Sequence, residues 1–140
     1  MATDKYGYRQ GARTLVKVKV DSSTSVPIEV GDMLTLATAG YVKQASADDT
    51  VYGVAASRLE TAPAADGDAE ILVDISPDSI YEYPPDSGSV SQAKLFLTCD
   101  VGGARSVNHD ATVDDCLLIV GIDTDKNTYL VQIRPTYAGV

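Results

Sequence analysis

The sequence predicts an all-β domain, a small β-barrel or β-sandwich of about nine strands with almost no helix. A phrase that occurs twice carries most of that prediction. Met33-Leu-Thr-Leu leads to a turn at Ala39-Gly40, then Tyr41-Val-Lys, an acidic loop at Asp48-Asp49, and Val51-Tyr-Gly-Val. Leu95-Phe-Leu-Thr leads in the same way to Gly102-Gly103, Ala104-Arg-Ser-Val, Asp114-Asp115, and Leu118-Ile-Val-Gly-Ile. Each copy reads as strand, glycine turn, strand, acidic loop, strand. The second observation is punctuation: short apolar runs are separated by glycine, proline, aspartate and asparagine, the residues that favour turns. At 140 residues the chain is long enough for one domain with a core of its own.

Taken in order, residues 1–13 show neither a twofold nor a helical period and read as an extended N-terminal arm, leaving 14–140 as a single β-rich domain. Leu15 to Val20 alternates cleanly, with Val16, Val18 and Val20 on one face and Lys17 and Lys19 on the other. Asp21 to Ser25 is a loop, and Pro27 restricts its segment to an edge or a strand start. Glu29-Val-Gly-Asp32 reads as a turn before the first meander. Gly53, inside an apolar run, marks a bulge or a close approach of another backbone. Residues 61–68 are a loop, and Glu70 to Ile75 is a strand. Pro77, Pro84 and Pro85 exclude a central strand around them, while Ile80-Tyr-Glu-Tyr83 alternates, with both tyrosines on one face. Residues 89–94 leave room for one helical turn. After the second meander, Thr128 to Ile133 is the last strand, ended by Pro135.

The net charge of −9 is unevenly spread. Lys5, Arg9, Arg13, Lys17 and Lys19 against Asp4 give residues 1–20 a charge of +4, so the other 120 residues carry −13. An acidic body repels nucleic acid and anionic membranes, so neither is an expected partner; a basic lead on such a body is the layout of an arm that reaches for a protein partner. No apolar run is long enough to span a bilayer, and the start of the chain lacks the apolar stretch of a signal peptide, so the protein is expected to stay where it is made. In a reducing compartment Cys99 and Cys116 are buried thiols that behave as small hydrophobes; whether they meet on neighbouring strands stays open.

No catalytic constellation emerges, and the chain is not expected to be an enzyme or to carry a cofactor or metal. The sole histidine, His109, lies in a polar loop and reads as solvated. Asp123-Thr-Asp-Lys-Asn127 begins like a calcium loop, but Thr128 stands where glycine is needed and Arg134 where the bidentate carboxylate belongs. A turn between two strands explains it better.

The glycine-centred steps resemble a known group. Gly31-Asp-Met-Leu-Thr-Leu, Gly40-Tyr-Val-Lys, Val51-Tyr-Gly-Val-Ala and Gly121-Ile122 are similar to the pattern of capsid decoration proteins of tailed bacteriophages, the head-stabilising or cement proteins. The resemblance covers roughly residues 27–134 in layout. It implies a structural virion protein on the capsid exterior, made in the host cytoplasm, that binds the major capsid protein as a homotrimer at three-fold or quasi-three-fold positions and stabilises the shell. It also implies a capsid-binding arm, which by position is Tyr6, Tyr8, Arg9 and Arg13. Tyr81 and Tyr83, beside Pro84-Pro85, are a possible secondary contact surface. As an exposed aromatic platform they carry the alternative, an adhesion or carbohydrate-binding module of a phage head fibre or tail.

Overall fold

A computed structural model describes residues 6–47 and 49–134; Asp4, Lys5, Asp48 and Pro135, all used above, lie outside that range. The described residues form eleven strands and two short 3-10 turns, so the expected all-β class holds with more strands than expected. In chain order the strands are β1 (Gly7–Gln10), β2 (Leu15–Lys19), β3 (Met33–Leu36), β4 (Val42–Gln44), β5 (Gly53–Ala55), β6 (Glu70–Asp74), β7 (Ile80–Tyr83), β8 (Thr98–Gly103), β9 (Ser106–Asn108), β10 (Leu117–Asp123) and β11 (Thr128–Ile133). They build two antiparallel sheets, ordered β1-β7-β11-β10-β8-β9 and β2-β6-β5-β3-β4. Neither sheet closes into a barrel, and the pair is roughly sandwich-like.

The doubled phrase is part of a larger duplication. β2 to β6 and β7 to β11 are wired identically: in each unit the first strand pairs with the fifth, the fifth with the fourth, the fourth with the second, and the second with the third. The registers agree as well. Lys17 lies opposite Leu72 as Glu82 lies opposite Leu130, and Val16 opposite Val73 as Tyr81 opposite Val131. Leu36 faces Val42 as Val101 faces Val107, and Leu34 faces Gly53 as Cys99 faces Leu117. Even the irregular ends match, because Val20 makes a parallel bridge to Val42 where Pro85 makes one to Val107. The next N–H closes each bridge, Asp21 to the Val42 carbonyl at 2.8 Å and Asp86 to the Val107 carbonyl at 2.7 Å. What breaks the symmetry is β1, which adds to the outer edge of β7 and has no counterpart on β2 among the described residues.

The first unit wraps a core of its own, and the second shares its core with the first. Val20, Ile28, Leu34, Val42, Ala55, Ile71 and Val73 form one cluster entirely within the first unit. The larger cluster joins Tyr81, Tyr83, Leu117, Ile119, Tyr129 and Val131 of the second unit to Met33, Val51 and Val54 of the first, and so fastens the units together. The alternation read in β2 is real, since Val16 and Val18 pack on the first core while Lys17 and Lys19 are exposed. Gly53 marks a close approach: a Cβ there would lie 2.5 Å from the Val73 side chain and 2.8 Å from the Asp74 carbonyl.

Three local expectations need correcting. The arm does not extend to residue 13, because Gly7–Gln10 is a sheet strand. In the second meander the first strand begins only at Thr98. Ser91 caps the 3-10 turn Gln92–Lys94, and Phe96 adopts a left-handed φ of 67° that a strand excludes. The hairpin turn also sits two residues later than the glycines suggest, between Gly103 and Ser106, so Gly102 lies in the strand. There a Cβ would collide with the Asp86 side chain.

Candidate binding surface at the N-terminal seam

The structure gathers the two sets of residues singled out in the sequence into one seam. β1 runs antiparallel to β7, with Gly7 opposite Glu82, Tyr8 opposite Tyr81 and Gln10 opposite Ile80. Tyr6 stacks on Tyr83 with ring centres 6.2 Å apart, Tyr83 on Tyr81 at 6.2 Å, and Tyr8 meets Tyr81 edge-on at 5.8 Å. Cations cover the outer rings: the Arg13 guanidinium lies 4.3 Å from the Tyr8 ring centre, and that of Arg105 lies 5.7 Å from Tyr6. Tyr81 and Tyr83 are therefore fully buried. Their alternation is genuine, but the face they share is the core face, and an exposed platform on them is excluded.

Buried carboxylates fix the seam. Glu82 pairs with Arg9 at 2.6 Å, accepts a hydrogen bond from the Thr128 hydroxyl and lies 3.8 Å from Lys126. Asp74 accepts hydrogen bonds from Thr14 and Ser76 N–H, from the Ser79 hydroxyl at 2.6 Å, from the Tyr81 hydroxyl, and from Arg13 at 3.4 Å. Burial alone would lift the Asp74 carboxyl, but these hydrogen bonds, led by Ser79 and Tyr81, hold it below the ordinary aspartate value. Burial pushes the Tyr81 and Tyr83 hydroxyls upward, with Asp74 adding to the effect on Tyr81.

The Gly31-Asp32 pair joins the two units beneath Tyr6. Gly31 accepts a 2.7 Å hydrogen bond from the Tyr83 hydroxyl, and at φ 99° it presents a bare Cα to the Tyr6 ring, where a Cβ would come within 3.1 Å. Asp32 accepts from Glu29 N–H, from Gln44 at 2.7 Å and from Arg105 at 2.6 Å and 3.1 Å. That last contact raises the Arg105 pKa and ties the β8–β9 turn to the first meander. Burial together with Asp32 raises Tyr6.

The remaining polar candidates act within the fold. His109 is buried, not solvated, with Nδ1 hydrogen-bonded to the Tyr129 hydroxyl, which also accepts from Ser91 N–H. Asp123 to Asn127 is the turn joining β10 and β11, with Asp123 accepting from Lys126 N–H. Asp100 accepts three backbone N–H groups, from Val113, Asp114 and Asp115, and so shapes the second acidic loop. Cys99 and Cys116 are buried free thiols. Among the described residues no His, Cys, Asp and Glu group is arranged to hold a metal ion, and no helix is long and apolar enough to cross a membrane.

Sequence reading missed Phe96, the one phenylalanine of the chain, by putting it in a strand. It is 69% exposed on a left-handed backbone, with Leu97 half exposed beside it. No family model, curated protein or solved structure matches this chain.

Proposed function

We propose that this chain is a structural virion protein that binds the outer surface of a tailed-phage capsid, as a trimer at three-fold or quasi-three-fold positions, and stabilises the shell. The observation that carries the reading is the basic N-terminal strand laid along one edge of an acidic double sheet. That strand and the segment after it keep Arg9 and Arg13 at the surface even as they pair with Glu82 and Asp74. The glycine-centred resemblance supports it, and so does the use of buried Asp32, Asp74, Glu82 and Asp100 in bracing turns. Phe96 supplies an apolar anchor outside the arm. With Tyr81 and Tyr83 buried, the adhesion or carbohydrate-binding alternative loses the surface that motivated it.

The test is co-sedimentation with expanded heads assembled from the cognate major capsid protein and lacking this chain. Saturable binding, weakened at least tenfold by Phe96→Ser, is the expected result. Failure of the wild-type protein to sediment with heads at micromolar concentration contradicts the proposal. Light scattering on the free protein reads the oligomer separately.

A further inference from the structure

The duplication shows what one edge of the molecule lacks. In the second unit the outer edge of β7 is covered by β1, which spans Ile80 to Glu82. In the first unit the corresponding edge belongs to Leu15–Lys17 of β2, an end strand among the described residues. The hydrogen-bond phase leaves that edge ready to pair. Val20 N–H donates to the Ala69 carbonyl and Ile75 N–H to the Thr14 carbonyl, so the even-numbered residues bond to β6. The N–H and C=O groups of Leu15 and Lys17 therefore point the other way. Leu15 is 46% exposed, and Lys17 and Lys19 are exposed beside it.

Charge at the two edges is reversed. Glu82 on β7 is met by Arg9 of the added strand at 2.6 Å. The residue in the same register on β2 is Lys17, since Lys17 lies opposite Leu72 as Glu82 lies opposite Leu130. We infer that the β2 edge is a docking site for an extended segment of another protein, added antiparallel at Leu15–Lys17 and carrying an aspartate or glutamate where β1 carries Arg9. A second copy of this chain fits poorly, because its own β1 brings Arg9 to Lys17, and two β2 edges bring lysine against lysine. Lysine on an edge strand discourages indiscriminate pairing and leaves a partner of opposite charge as the favoured one. The inference does not depend on a capsid being the partner.

The experiment is an amide NMR titration of the whole protein with two blocked peptides. One has the sequence of residues 6–13, and the other is the same peptide with Arg9→Glu. The acidic peptide is expected to shift the Leu15, Lys17 and Lys19 amides and to bind about two- to fivefold more tightly than the basic one, the range an opposite-charge cross-strand pair supports. Lys17→Glu in the protein should reverse the preference; this exposed position leaves the fold intact, which circular dichroism checks. Absence of any shift along β2 at millimolar peptide overturns the inference, leaving the lysines as guards of a bare edge. Shifts confined to β7, or a preference that Lys17→Glu leaves unchanged, overturn it too.

Discussion

Single side chains in this molecule do structural work that their chemistry disguises. Asp74 is a buried carboxylate that collects hydrogen bonds from Thr14 just before β2, from β7 and from the turn between β6 and β7. Asp74→Asn is expected to lower unfolding free energy by about 2–4 kcal/mol, because it removes a charge that several donors and Arg13 are arranged to meet. The sign of the pH effect follows from its depressed pKa. A carboxylate held low in the folded state stabilises above its unfolded value, near 4, and loses that contribution as pH falls through its lower folded value. The wild-type thermal midpoint should therefore hold steady down to about pH 4 and fall below it. Asp74→Asn should show a shallower acid limb, and equal slopes in the two proteins would assign acid unfolding to other groups. The cysteines give a second check. Burial lifts Cys99 to about 12 and Cys116 to about 11, so neither carries appreciable thiolate at neutral pH. A thiol reagent such as dithiobisnitrobenzoate should label neither in the native protein and both in denaturant; rapid native labelling contradicts their placement.

At the level of elements, β1 is where sequence and structure part company, and a partner explains why. Four residues beginning with glycine have no alternation to read, and they become a strand only because β7 offers an edge and Glu82 a charge. Residues 80–83 did show their alternation in the sequence, but pattern alone does not say which side is core; Tyr6 and Tyr8 decide that by covering the rings. His109 is misread for a similar reason, since it lies in the turn after β9 and its partner Tyr129 is twenty residues away on β11. By contrast β2, β6 and β11 were legible, because each is long enough to display its period. The same packing predicts that removing residues 1–10 is costly. Two aromatic contacts worth about 0.5–1.5 kcal/mol each are lost and Glu82 loses Arg9, so a penalty of at least about 2 kcal/mol is expected in urea unfolding. An unchanged midpoint would show that the strand is only loosely laid on the sheet.

Across the whole molecule the duplication gives two similar five-stranded units, one finished by β1 and one whose β2 edge is unpaired among the described residues. The sequence announced the repeat only through its middle strands. The flanking pairs, β2 with β6 and β7 with β11, share register but little residue identity, as Val16-Lys17-Val18 against Tyr81-Glu82-Tyr83 shows. The body is joined through one shared core and braced by buried carboxylates, and the role proposed for it is to bear load on a shell. The most direct measurement of that claim is the temperature at which DNA-filled heads lacking this chain release their DNA, recorded by dye fluorescence as the protein is added. A rise of several degrees that saturates at a fixed number of copies per head is the predicted result; a release temperature unmoved at saturating protein would contradict it.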